Sequence, residues 1–301
     1  MSLPVAQSSS PLISREEIER AYLYCRQTAR THAKSFYFSA RFLPRHKRRA
    51  IYAIYALCRH VDDAVDEVAA GDESEITNTI EQWKNDLDRV YLGEIVHSPI
   101  LVAWRDMLEH YPIKQELPFE LMQGVLMDTH TKRYATWAEL RVYCYRVASV
   151  VGLMSSEVFG YTKLETLAHA ESLGYAMQLT NILRDIGEDS RANRIYIPQE
   201  DLQRFGYTES ELMRGEVNEN FRHLMNFEIE RARSLYREAE RGIPLLNREA
   251  RFTVLLAARL YAKILDKIEH NDYDVFTRRA HLNFVGKLRY SPRLWREARR
   301  L

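Results

Sequence analysis

A chain of 301 residues with 46% hydrophobic side chains has enough apolar material for a large core, and 43 Lys/Arg against 42 Asp/Glu leave a net charge of only +1. That balance excludes a nucleic-acid partner held by bulk positive charge, so any anion site must be a local cluster. Three widely spaced cysteines, Cys25, Cys58 and Cys144, make neither a disulfide framework nor a CxxC metal site, which points to a reducing, cytoplasmic setting.

Residues 1–14 lack the basic and apolar regions of a secretory signal and read as a mobile tail ahead of one domain at 15–301. Ser14-Arg-Glu-Glu17 is a capping box that opens a first helix. Pro44 suits the first turn of a second helix running through Tyr52, Tyr55 and Cys58 to about Glu67. Breaks at Gly71-Asp72, Pro112, Pro118 and Gly160 read as connections between helices. Thr136-Trp-Ala-Glu139 predicts a helical segment to about Phe159, and Thr162-Lys-Leu-Glu165 predicts another to about Asp189. The longest apolar run, 147–154, falls far short of the ~20 residues that span a bilayer. Thr208-Glu-Ser-Glu211 is one more capping box, and two amphipathic stretches at about 218–241 and 248–270 flank Gly242 and Pro244. No alternating Val/Ile runs joined by Asn-Gly or Asp-Gly turns occur, so the expected fold is all-α.

Two acidic motifs carry chemistry. In RHVDDAVDE, Asp62 and Asp66 share a helix face, where like charges repel, near a helix end whose dipole disfavours anions. A bound cation would explain that arrangement; a solvated acidic helix end is the plainer alternative. NILRDIGED repeats the spacing with Asp185 and Asp189, and Gln178 and Asn181 extend the same stripe. Leu179, Ile182, Leu183 and Ile186 around it mark a mostly buried helix, and buried polar groups need partners. Two such seams face to face would form a cage of hard oxygen donors suited to Mg²⁺ bridged to phosphate. Arg59, Arg184, Arg191, Arg194 and Lys34 lie near these motifs, and guanidinium forks match phosphate oxygens. Each could equally be a surface ion pair. Small residues at Ala148, Gly152, Ser155 and Gly174 allow either a channel between helices or plain close packing. Tyr37, Tyr55, Tyr143 and Tyr261 are candidates to line a cavity, where aromatic faces stabilise cations.

At these residues the chain resembles the squalene/phytoene synthase family. HAKSFYFSARFLP, YAIYALCRHVDDAVDE, YCYRVASVVGLM and QLTNILRDIGEDSRANRIYIPQEDL follow the family's blocks in order, and the resemblance spans roughly residues 20–290. It implies a single-domain isoprenoid synthase fold, a helical bundle around a central cavity, with Mg²⁺ as cofactor and Mn²⁺ as a substitute. Asp62 and Asp66 match the first metal motif, and Asn181, Asp185 and Asp189 the second. His32, Lys34, Ser35, Tyr55, Arg59, Gln178, Arg184 and Tyr261 match positions that contact prenyl diphosphates. Ala33 offers only its backbone there, Arg278 is a further candidate, and Tyr143 matches an aromatic position near the reacting carbons. The implied reaction joins two geranylgeranyl diphosphates head to head through a cyclopropyl diphosphate to phytoene, without NADPH. The runner-up joins two farnesyl diphosphates to dehydrosqualene, squalene or presqualene diphosphate. Head-to-tail prenyl transfer, terpene cyclisation and a non-catalytic assembly factor are further alternatives. The basic, amphipathic end RLWREARRL suits either a solvated surface or a peripheral membrane contact, which would pass an apolar product to downstream carotenoid enzymes.

Overall fold

The computed structural model describes residues 13–66, 73–280 and 294–301. The predicted tail up to position 12, Glu67 and the Gly71-Asp72 break lie outside the described residues. Helices α1 (Arg15–His32), α2 (Lys34–Ala40), α3 (Arg45–Asp66), α4 (Glu73–Tyr91), α5 (Pro99–Leu108) and α6 (Glu116–His130) build the first half. Ser14 caps α1 as its position predicts, accepting from the Glu17 amide at 3.2 Å. Ile51, Ile54, Leu57 and Val61 recur at helical spacing on α3 and are buried with Leu87 and Trp104 in the core of this half.

The second half begins with α7 (Trp137–Cys144), a five-residue π-turn at Tyr145–Ser149, and α8 (Val150–Phe159). The sequence predicts one continuous helix here; the chain does stay helical, but the π-turn widens it where Arg146 and Val147 meet the bare face of Gly124 on α6. A long α9 (Glu165–Arg191) follows, then two short helices, α10 (Gln199–Arg204) and α11 (Glu209–Arg214). Last come α12 (Glu219–Glu240) and α13 (Arg248–His270), separated by a 3₁₀ turn at Ile243–Leu245 that uses the predicted Gly242 and Pro244. Among the described residues the only β-structure is two isolated bridges, Arg133 with Ile195 and Tyr161 with Leu246. Among them, too, no helix is long and apolar enough to cross a membrane.

Two local expectations are corrected. Thr162 does not cap α9, because the bridge at Tyr161 turns its hydroxyl onto the Leu245 carbonyl at 3.1 Å, and the helix starts later from Leu164. Pro118 does not separate helices either; it sits in the first turn of α6, where a missing N–H costs no helical hydrogen bond.

Helix α9 is the axis of the second half, packed against α8, the π-turn, α12 and α13. Its closest approach is at Gly174, where a Cβ would lie 2.4 Å from the Ser149 Cα. The small residue there serves close packing, one of the two readings its size allows. Gly174→Val is expected to destabilise the fold by about 1–3 kcal/mol, and a denaturant titration with an unchanged midpoint would contradict this.

A buried charge cluster ties α12 to α10. One Arg231 nitrogen donates to Asp201 at 2.8 Å and to Glu228 at 2.7 Å, and both acids are buried. Two carboxylates on one guanidinium leave an excess negative charge, and burial raises the Glu228 carboxyl to about 8. The folded chain then holds a proton that the unfolded chain releases near 4.5. Stability from this group is present below that lower value and declines as pH rises to about 8. Tm curves of Glu228→Gln should therefore fall less over this pH window than those of the parent chain; parallel curves would refute the assignment.

Candidate active site

The polar seams of α3 and α9 meet at one cavity of about 330 Å³, at the small end of the range for ligand sites. From α3 come Arg59 and Asp62; from α9 come Gln178, Asn181, Arg184, Asp185 and Asp189. Gln178, Asn181, Asp185 and Asp189 recur every three or four residues, with Arg184 beside Asp185, so one side of the helix delivers all of them. Val125 and Asp128 of α6, Tyr143 of α7 and Val147 of the π-turn close one side, and Arg194 and Tyr196 beyond α9 close another.

Charge dominates the cavity. Arg184 grips Asp185 with two hydrogen bonds, at 2.9 and 2.5 Å, and Arg279 reaches the same carboxylate at 3.1 Å. Arg59 pairs with Asp63 through Nη2, while its buried Nε has no partner. That orphaned donor fits an incoming phosphate oxygen. Asp189 is pushed up to about 7, first by burial and then by the neighbouring charge of Asp185. Tyr261 donates to the Asn181 Oδ1 at 2.6 Å, and the Asn181 amide donates to Gln178 at 3.3 Å, so the seam is internally tethered.

Opposite lies a polar group of a second kind. The Asp128 carboxylate accepts from Tyr143 at 2.9 Å and from Tyr196 at 2.7 Å. Burial raises this carboxyl and the two tyrosine hydrogen bonds hold it down in part. Tyr196 stacks on both Tyr134 and Tyr143, with centroids 5.9 and 5.2 Å away. Burial, the first cause, and the Asp128 charge raise the Tyr143 hydroxyl well above its ordinary value, so it stays a neutral donor.

The donor set consists of carboxylate and amide oxygens, as a hard divalent cation requires, and such an ion would offset the burial and the Asp185 charge that raise Asp189. Among the described residues no three acidic, His or Cys side chains stand ready-grouped around one metal position. The reason lies in the pairing above: two arginines hold Asp185. Asp66 ends α3 with its side chain outside the described residues.

Comparison with known proteins places this cavity in context. The squalene/phytoene synthase family model matches residues 29–285. A 15-cis-phytoene synthase of Synechocystis sp. is 43% identical over 293 residues, covering 93% of this chain and 86% of that protein. A phytoene synthase of Arthrospira platensis is 42% identical, covering 90% and 91%. The chain belongs to the squalene/phytoene synthase family. The crystal structure of a dehydrosqualene synthase in complex with ligand aligns with a TM-score of 0.88 at 28% identity, covering 95% of this chain and 99% of that one. The all-α isoprenoid synthase fold is therefore that of the family, whose prenyl-transferring members normally use a divalent metal.

Of the positions that match the family's site, the cavity gathers Arg59, Asp62, Tyr143, Gln178, Asn181, Arg184, Asp185 and Asp189. Tyr261 stands one hydrogen bond behind Asn181. Tyr55, one turn before Arg59, is not a lining residue; burial raises its hydroxyl to about 12 and its ring meets Phe36 of α2 at 5.3 Å. His32, Ala33, Lys34 and Ser35 form the α1–α2 junction and lie outside the lining of this cavity, with His32 and Lys34 exposed. Arg278 is turned to Asp274 at 3.9 Å, and the next residue, Arg279, is the one on Asp185. Sequence reasoning missed Asp128, Tyr196 and Arg279. Asp128 carried a usable signal, an acid in the last turn of a helix, where the dipole disfavours it. Asp128→Asn is expected to lower turnover about 10- to 100-fold while circular dichroism stays unchanged; full activity would reduce the cluster to a packing role.

Proposed function

We propose that this chain condenses two geranylgeranyl diphosphates head to head, through cyclopropyl prephytoene diphosphate, to phytoene, the first committed step of carotenoid biosynthesis. The observation that carries this reading is the convergence of two polar seams, Arg59 and Asp62 with Asn181, Asp185 and Asp189, on one cavity of a chain 43% identical to a 15-cis-phytoene synthase. The catalytic unit in this reading is one all-α domain from residue 15 onward.

In this proposal Asp62, Asp66, Asn181, Asp185 and Asp189 hold Mg²⁺, with Mn²⁺ as a substitute, which supplies Lewis-acid neutralisation of the leaving diphosphate. Arg59 offers its unpaired Nε to a diphosphate oxygen, and Arg184 and Gln178 flank the same space. His32, Ala33, Lys34 and Ser35 at the α1–α2 junction and Tyr55 of α3 bind the second diphosphate, with Tyr261 and Arg278 in support. Loss of diphosphate from one substrate leaves an allylic cation, and the double bond of the other attacks it. A proton then leaves and the cyclopropane closes. Ionisation of that intermediate, rearrangement and loss of a second proton give the hydrocarbon. Tyr143 and Val147 wall the reacting carbons from water, and the tyrosine face favours the cationic stages. No hydride enters, so NADPH is not required.

A hydrocarbon of this length does not dissolve in water, so we place the enzyme in the cytoplasm at a membrane surface. Downstream carotenoid enzymes collect the product there. A second reading, condensation of two farnesyl diphosphates to a C30 product, draws support from the dehydrosqualene synthase alignment.

The test supplies purified protein and Mg²⁺ with each diphosphate in turn, with and without NADPH. A C40 hydrocarbon from geranylgeranyl diphosphate, independent of NADPH, is expected. A C30 product alone would transfer the assignment to the second reading, and no product would favour a non-catalytic role. Asp62→Asn and Asp185→Asn should each cut turnover by roughly 10²–10³-fold or more with the fold retained; an undiminished rate in either would remove the metal cage.

A further inference from the structure

The outer face shared by α1, α2 and the start of α3 collects arginines without acidic partners. Arg26 and Arg30 lie one turn apart on α1, Arg41 follows the end of α2, and Arg48 lies early in α3. Arg26 Nε donates to the Tyr37 hydroxyl at 3.3 Å, and Arg48 donates to the Arg41 carbonyl at 3.2 Å. Tyr37 stacks on Tyr52 at 5.3 Å, so the guanidinium groups surround one aromatic pair. The Arg26 hydrogen bond, then the charges of Arg26, Arg30 and Arg41, hold the Tyr37 hydroxyl below its ordinary range.

Neighbours on the same helices behave differently. Arg20, Arg45 and Arg49 pair with Glu16, Glu19 and Asp106. Among the described residues, Arg26, Arg30, Arg41 and Arg48 pair with no carboxylate. In a chain of net charge +1 this is a strong local asymmetry.

An apolar edge adjoins the arginines. Phe42 is 46% exposed, held edge-on by Phe38 and Phe252 at 5.7 and 4.8 Å. Phe38 and Phe252 pack on the small core that takes in Leu294 and Ala298 from the helical turn at 294–298. That turn leaves Trp295 47% exposed, with Arg299 stacked 4.6 Å from its ring. Aromatic rings beside arginines, at the surface of a chain whose described helices cannot span a bilayer, have the chemistry of an interfacial anchor.

We propose that this face docks on the anionic surface of a lipid bilayer, with Phe42 and Trp295 entering the headgroup layer and the arginines lying over lipid phosphates. It deepens the proposed release of a hydrocarbon at a membrane and rests on that reading for its purpose. Its chemistry stands on the face alone.

The experiment floats the full chain, without substrate or metal, with vesicles of phosphatidylcholine alone or mixed with phosphatidylglycerol. The chain is expected to float with the mixed vesicles only and to be released by high salt. Each arginine near the surface contributes about fivefold, so a double variant, Arg26→Gln with Arg41→Gln, should bind roughly thirtyfold more weakly. Phe42→Ser should lose about tenfold. Condensation of detergent-dispersed substrate should be unchanged in both variants, which separates failure of this proposal from failure of the catalytic reading. Undiminished flotation of the double variant, equal binding to phosphatidylcholine alone, or no flotation of the parent chain would each overturn it. Thermal protection by inorganic phosphate without vesicle binding would also overturn it, in favour of a small-anion site.

Discussion

Asp62, Asp128, Asp185 and Asp189 face one cavity of about 330 Å³, and their mutual repulsion is the constraint around which the rest is organised. Burial first, and then the neighbouring charge of Asp185, push the Asp189 carboxyl up to about 7. The fold answers with Arg59, Arg184, Arg194 and Arg279 and with hydroxyls from Tyr143 and Tyr196. Those partners come from α3, α9, α7 and the segments after α9 and α13, so the charge problem is solved only once the bundle is assembled. A buried carboxylate whose partner is removed is strongly destabilising. The same oxygens, concentrated and incompletely neutralised, are of the hard kind that suits a divalent cation, and they stand in a chain of the squalene/phytoene synthase family.

Much of this was legible in the sequence because it depends on local spacing. The recurrence of Gln178, Asn181, Asp185 and Asp189 at three- and four-residue intervals sets one helix face, whatever surrounds the helix. The caps at Ser14, Thr136 and Thr208 involve atoms three residues apart; each hydroxyl takes the predicted amide, and the full reciprocal box closes at Thr208. Thr162 fails because a distant carbonyl, that of Leu245, competes for its hydroxyl. Arg279 on Asp185 escaped the sequence for a related reason. Its partner is far away in sequence, and which of two adjacent arginines turns inward depends on how the chain leaves α13. Asp128 needed a tertiary fact as well, since the hydroxyls that claim it come from Tyr143 and Tyr196.

The two sides of the cavity divide the work by their electrostatics. The α3 and α9 side is ionic and holds donors with unmet capacity, such as the Arg59 Nε. Opposite, the rings of Tyr143 from α7 and Tyr196 after α9 enclose Asp128 of α6, and their hydroxyls remain neutral because burial resists ionisation there. Most of the charge therefore gathers at the α3 and α9 wall, while the aromatic faces lie opposite, an arrangement suited to ionising an allylic diphosphate and sheltering what remains.

The π-turn at Tyr145–Ser149 carries a consequence for how this region tolerates change in chain length. It holds more residues per turn than an α-helix, and Tyr143 before it and Val147 within it both face the cavity. Deleting one residue there would allow an ordinary α-helix to form. Because successive residues are about 100° apart around a helix, everything on one side of the deletion would turn by that angle relative to the other. Substitutions at these five positions alter a side chain, whereas a deletion re-aims a whole wall of the site. Among relatives, variation in this stretch should therefore be confined to residue identity, with its length kept.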